Sequence, residues 1–180
     1  LSKTPDLAFC NSTAVSLNRD GRFFAEGFSD GSIKLWDLKK GIMSKTLRMH
    51  SDYLQAIAFT PDGKYMISAG YGIPKWGVSQ NSINVWTGDG RHLRTILKGE
   101  SVTDMELIPG TDRFVALTIL QGIRIMTLDG KTVKVIDDAK DQKAFENRNS
   151  LLAMNPDGSC FATAPFTNFK MAGDVTIWKT

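Results

Sequence analysis

Two histidines, His50 and His92, and two cysteines, Cys10 and Cys160, are all that the 180 residues offer of those types. A structural zinc site takes four nitrogen or sulfur ligands at short spacings, and these four are scattered along the chain. The cysteines read instead as small buried hydrophobes, which permits a reducing compartment. His50 stands two residues before Asp52, half of a charge-relay arrangement, but no serine sits in the strand-to-helix elbow that activates a nucleophile. Asp137, Asp138 and Asp141 have the look of a calcium loop. They lack its glycine and terminal glutamate, and so read as a solvated acidic turn. Asp104 and Glu106 share one face of a short apolar segment, but a single carboxylate pair is not a metal cage. The chain thus calls for no catalytic residue, metal or cofactor.

The elements around these residues are short and repeated. Residues 54–59 form an apolar strand, and Thr60-Pro61-Asp62-Gly63 follows as a turn, with proline fixing φ and glycine admitting a positive one. Residues 65–69 make a second strand. A third, 82–86, alternates Ile83 and Val85 inward with Asn84 outward. The same unit stands before it at 15–37 and after it at 105–126, and again at 152–165 with 174–178. The third strands end at Trp36, Trp86, Met126 and Trp178, so the steps are 86−36 = 50, 126−86 = 40 and 178−126 = 52. Fourth strands are expected at 43–47, 92–97 and 132–136. Four strands repeating every 40 to 50 residues mark the blades of a β-propeller.

These residues resemble the WD-repeat family. Trp36-Asp37 stands where the family has its WD pair, and Met49-His50-Ser51-Asp52 where it has Gly-His followed by Ser or Thr and Asp. FTPDGKYMISAG, residues 59–70, is similar to the family's approach to its second strand. The later copies are degenerate, with Met126-Thr127 and Trp178-Lys179 replacing WD and Gly99-Glu100 replacing Gly-His. The resemblance implies a buried network of Trp, Ser or Thr, His and Asp inside each blade. The second copy retains His50, Ser68 and Trp86 but has Gln80 at the Asp position; the first retains Asp30 and Trp36 without the His. Such a network ties strand ends together and satisfies buried polar groups. His92, on an outer strand, is expected to be exposed.

The expected fold is all-β: a propeller of four-stranded antiparallel blades, about four in this chain. The chain reads as a single domain, 1–180, with blades near 11–47, 54–97, 102–136 and 150–180 and residues 1–10 as the outer strand of the last. An open arc exposes sheet edges that something must cover. The arc is then part of a longer propeller, half of an eight-bladed homodimeric ring exchanging the N-terminal strand, or a unit closed alone or by a partner.

Three long connections carry the candidate binding residues: 71–80, 137–149 and 166–173. In a propeller all three emerge on one face, and the short turns at 18–21, 61–63 and 155–158 on the other. The long connections hold Tyr71, Lys75, Trp76, Phe145, Arg148, Phe166, Phe169 and Met171. Exposed aromatic rings and Arg on loops are the composition of interaction hot spots. The expected function is a non-catalytic scaffold binding a protein or peptide on that face. The alternative is a propeller enzyme, or a metal or small-ligand binder, using the central channel.

Composition narrows the partners further. A net charge of +3 with Lys and Arg scattered singly gives no basic stripe for nucleic acid. No apolar run reaches the ~18 residues of a membrane span, and no signal peptide is evident, so the expectation is cytoplasmic.

Overall fold

The computed structural model describes residues 11–51, 53–70, 82–119, 122–136, 149–166 and 175–180. Sharp turns set the spacing of its strands. At Thr60–Gly63 the Gly63 N–H donates to the Thr60 carbonyl at 2.8 Å and the Thr60 hydroxyl donates to Asp62 at 2.6 Å. Gly63 holds φ at +68°, which a side chain would strain. At the equivalent turn before it, the Asn18 side chain accepts from the Phe23 N–H at 2.8 Å.

These turns fold the described residues into four antiparallel sheets. The first contains β1 (Ser12–Leu17), β2 (Phe23–Phe28), β3 (Ser32–Asp37) and β4 (Ile42–Arg48), in that order. The second contains β5 (Leu54–Phe59), β6 (Tyr65–Gly70), β7 (Ile83–Thr87) and β8 (His92–Ile96). The third contains β9 (Val102–Leu107), β10 (Arg113–Thr118), β11 (Gly122–Thr127) and β12 (Thr132–Ile136). The fourth has three strands among the described residues: β13 (Asn149–Met154), β14 (Cys160–Phe166) and β15 (Thr176–Lys179). The chain is all-β, a β-propeller of about four blades.

The first strands of the sheets stack in sequence, β1 on β5, β5 on β9 and β9 on β13. Hydrogen bonds fix their direction. Thr13 donates its hydroxyl to the Leu54 carbonyl at 2.5 Å, and the Phe59 N–H donates to the Ser16 hydroxyl at 3.3 Å. β1 and β5 therefore run the same way, starts beside starts. Asp104 bridges β9 to β13, one carboxylate oxygen accepting from the Leu152 N–H and the other from the Met105 N–H, each at 2.8 Å.

Each sheet presents two rows of side chains that matter for packing. The front row runs across paired residues: Leu17–Phe24–Trp36–Met43 in the first sheet, Phe59–Met66–Trp86–His92 in the second. It continues as Leu107–Phe114–Met126–Thr132 in the third and Met154–Phe161–Trp178 in the fourth. The back row holds smaller residues: Ala25 and Leu35, then Ile67 and Val85, then Val115 and Ile125. Three apolar clusters form where the front row of one sheet meets the back row of the sheet before it. Bulky rings against small and β-branched residues fill the wedge between sheets.

Burial on both faces corrects one expectation. Asn84 does not point outward to solvent; it is fully buried, as are Ile83, Val85 and Trp86 beside it. Alternation reports one wet face only when a sheet has one, and the second sheet is covered on both sides. Cys160, expected to be buried, is a half-exposed free thiol, and Cys10 lies outside the described residues.

Phe114 is fully buried between the second and third sheets. Phe114→Ala should cost about 3–5 kcal/mol in unfolding free energy, read as a lower denaturant midpoint, because rigid sheets cannot collapse into the cavity.

Candidate functional site

Polar side chains form a connected buried group at one edge of the second sheet. The Trp86 indole N–H donates to the Ser68 hydroxyl at 2.9 Å, and Ser68 lies 2.8 Å from His50 Nε2. Asn84 extends the group in both directions. Its amide nitrogen reaches His50 Nε2 at 3.3 Å and Ser82 at 3.2 Å, while its oxygen accepts from Thr95 at 2.7 Å and His92 Nε2 at 3.1 Å.

This arrangement fixes the protons. Asn84 oxygen is occupied as acceptor, so its nitrogen donates to His50, and His50 Nε2 must be the bare nitrogen. Ser68 then accepts from Trp86 and donates to His50. His50 carries its proton on Nδ1, a buried atom with no hydrogen-bond partner among the described residues. Burial first, and the neighbouring His92 second, pull the His50 imidazole from 6.5 to about 4.

Sequence reasoning singled out His50, Ser68 and Trp86, and the structure brings these three together. It missed Asn84, Ser82 and Thr95, and His92 was expected to be exposed. His92 is instead half-buried, hydrogen-bonded to Asn84 and set edge-on to Trp86 with ring centroids 4.9 Å apart. The available signal was Ser82-x-Asn84-x-Trp86, polar residues on the same face as the indole.

The fourth sheet repeats the central pair, Trp178 donating to Thr163 at 3.0 Å. In the first sheet Glu26 occupies the Ser68 and Thr163 position, and the Trp36 indole N–H is buried without a partner among the described residues. Asp30 accepts from the Ser32 backbone and hydroxyl and pairs with Arg48 at 3.5 Å, bracing the turn between β2 and β3.

The comparisons with known proteins agree with this architecture. Residues 9–37 and 41–87 match the family described as WD domain, G-beta repeat. Residues 9–87 carry WD repeats. Nuclear distribution protein PAC1-1 of Uncinocarpus reesii is 38% identical over 79 residues, 43% of this chain and 18% of that protein. PAC1 of Tuber melanosporum is 37% identical over 81 residues, 44% of this chain and 16% of its own. DDB1- and CUL4-associated factor 13 of Dictyostelium discoideum is 33% identical over 73 residues, 36% of this chain and 16% of its own. The matched stretch therefore spans less than a fifth of each relative.

Of the candidate binding residues, Tyr71, Lys75, Trp76, Phe145, Arg148, Phe169 and Met171 lie outside the described residues, as does Gln80. Phe166 ends β14, its backbone paired with Asn149. The strand ends flanking the three long connections are described. Gly70 pairs near the start of β5 at Leu54, and Phe166 pairs with the start of β13. The inner-strand acids, weighed for the channel alternative, are held differently from one another. Asp104 is committed to two backbone N–H groups, and burial raises it; Glu106 is raised by burial and then by the charge of Asp104. Among the described residues no three His, Cys, Asp or Glu side chains gather as a metal would require, and no helix is long and apolar enough to cross a membrane.

The His50 shift sets a pH dependence of known sign. A base depressed in the folded state leaves the unfolded chain binding the extra proton between pH 6.5 and 4. Stability is therefore full above 6.5 and falls toward 4, by about 3 kcal/mol at 1.36 per unit. Urea midpoints across that window should fall for the native chain and flatten for His50→Gln. In the first blade, Glu26→Thr should give Trp36 the partner that Trp86 and Trp178 have, raising unfolding free energy by about 1 kcal/mol. A lower melting temperature for this variant would count against that role.

Proposed function

We propose that this chain is a rigid, non-catalytic scaffold that binds a protein or peptide through the long connections at one end of its sheets. The observation that carries this reading is that neighbouring sheets run the same way: the turn at Gly158 after β13 lies against Ile108 and Pro109 after β9, as Gly63 after β5 lies against Asn18 after β1. β1 and β5 run side by side in the same direction, tied at both ends by Thr13 and Ser16. The strand ends that flank residues 71–81 and 167–174 are the ends of second strands, paired with the starts of inner strands. Residues 137–148 lead into β13 at the same end. The opposite ends are closed by short turns such as Thr60–Gly63.

A preformed platform suits recognition because loops held by a stiff framework lose little freedom on binding. Tyr71, Trp76, Phe145, Phe166, Phe169 and Met171, interspersed with Lys75 and Arg148, supply anchors of the kind that dominate interfaces. WD repeats generally serve as non-enzymatic scaffolds, and one relative is by name an associated factor of two other proteins. We further propose that residues 1–180 act as one domain, with residues 1–10 as the outer strand beside β15 in the last blade.

Peptides selected on the native chain from a display library provide the test. Replacing Trp76 and Phe169 together with Ala should abolish peptide binding and leave the melting temperature nearly unchanged. A fall in melting temperature alongside lost binding would assign those rings to the packing of the loops themselves.

A further inference from the structure

Three turns come together at the end of the sheets opposite the long connections. The turn after β1, the turn after β5 and the turn between β7 and β8 enclose a groove of about 480 Å³ at the seam of the first two sheets. Asn18 lines this groove and is only 4% exposed.

Asn18 leads a turn that occurs four times. In each, the N–H of the leading residue, Asn18, Thr60, Ile108 or Asn155, donates to the carbonyl of the residue that begins the return, Phe23, Tyr65, Arg113 or Cys160. Two of the polar leaders spend their side chains on their own turn. Thr60 accepts from the Tyr65 N–H at 3.0 Å and donates to Asp62 at 2.6 Å. Asn155 accepts from the Cys160 N–H at 3.0 Å, and its amide nitrogen donates to Asp157 and to the Ser159 hydroxyl, the latter at 3.1 Å. Asn18 accepts from the Phe23 N–H in the same way, but its amide nitrogen makes no hydrogen bond among the described residues. Arg22 stands where Ser159 stands and offers no acceptor, and Asp20 takes only the Arg22 N–H, at 2.9 Å. The amide faces across the seam, since a Cβ on Gly63 would stand 3.8 Å from Asn18 Nδ2. A buried donor without an acceptor is costly to leave unmatched.

The other unspent groups of the groove are donors as well. Arg19 is exposed and has no hydrogen bond or ion pair among the described residues. The Arg22 guanidinium lies 4.7 Å from the Phe23 ring centroid and reaches Asp37 at 3.4 Å through one Nη, while its buried Nε–H has no partner among the described residues. The carboxylates, by contrast, are committed. Asp62 accepts from the Thr60 hydroxyl and the Lys64 N–H, and Asp89 from the Thr87 hydroxyl while facing Lys45. Arg19, Arg22 and Lys64 on the lining are balanced by Asp20, Asp62 and Asp89. A groove without surplus positive charge disfavours a doubly charged anion. Its directed N–H groups suit a planar, singly charged one.

We propose that this groove is a binding site for a carboxylate, carried by an acidic peptide side chain or a free small acid. The Asn18 amide and the Arg19 guanidinium hold the oxygens, and the Phe23 ring lies beside the stem that carries them. A volume of about 480 Å³ is within the range of small-ligand sites and leaves room for that stem. The groove lies at the other end of the sheets from the long connections, so it stands or falls separately from peptide capture there.

NMR titration of the nitrogen-labelled 180-residue chain with acetyl-glutamate amide tests the site. The side-chain NH2 signals of Asn18 should move saturably, beyond the effect of sodium chloride at equal ionic strength. Acetyl-glutamine amide and methyl phosphate should bind about tenfold more weakly or worse, and Arg19→Ala should weaken acetyl-glutamate amide by about tenfold. Asn18→Asp keeps the oxygen that accepts from the Phe23 N–H but exchanges the donor for a negative charge. It should abolish binding, read on the backbone signals of Arg19 and Gly63; if that variant fails to fold, Arg19→Ala decides alone. Acetate binding as tightly as acetyl-glutamate amide assigns the site to small acids, and weaker acetate binding assigns it to a peptide side chain; both support it. The absence of a saturable shift overturns the proposal, as does equal binding of the glutamine compound or native affinity in both variants.

Discussion

Packing of one sheet's bulky row into the next sheet's shallow row is the constraint on which the molecule rests. Phe59, Met66 and Trp86 fill the space over Ala25 and Leu35; Phe114 and Met126 do so over Ile67 and Val85; Phe161 and Trp178 over Val115 and Ile125. None of the sheets has a core of its own. Each is a thin layer whose stability comes from its neighbours, which is the usual energetic logic of repeat proteins. In the third sheet Met126 stands at the Trp position of the other sheets and is buried in the seam.

Sandwiching sheets in this way buries polar groups along with apolar ones, and the second sheet shows how the cost is met. Asn84, Ser68 and His50 are buried, yet each is held by several partners, and the chain of donors and acceptors runs from Trp86 to Thr95. Asn84 sits at its centre because it alone can donate to one histidine and accept from the other. Such a group favours one register of β6, β7 and β8 over slipped alternatives, since a slip would strand every member in an apolar seam. The first sheet, lacking the hydroxyl, leaves its Trp36 donor unmatched among the described residues. The repeats are thus equivalent in shape and unequal in polar detail.

The rigidity that follows is the property a binding platform needs. Inner strands are tied to one another by side chain to backbone bonds from Thr13, Ser16 and Asp104, so the framework is cross-braced at its centre as well as packed at its seams. Asp104 is instructive. A carboxylate on an inner strand invites a catalytic or metal-binding reading, but here one oxygen accepts from the Leu152 N–H and ties β13 to β9, and the other accepts from the Met105 N–H of its own strand.

Much of this was legible in the residues. The period of the Trp36, Trp86, Met126 and Trp178 positions, the Asp-Gly turns and the alternating strands determined four similar β units, because turn chemistry and strand alternation are local properties. His50, Ser68 and Trp86 could be grouped by resemblance to WD repeats. What lay beyond the sequence was which faces are covered. The inward and outward assignment of Asn84, the burial of His92 and the bracing role of Asp104 all depend on the neighbouring sheet, and a neighbour's position is set by contacts between residues far apart in the chain. The sequence by itself determined the blade. Only the tertiary structure decided which of its polar groups would be buried and which apolar rows would meet, since both follow from how one blade lies on the next.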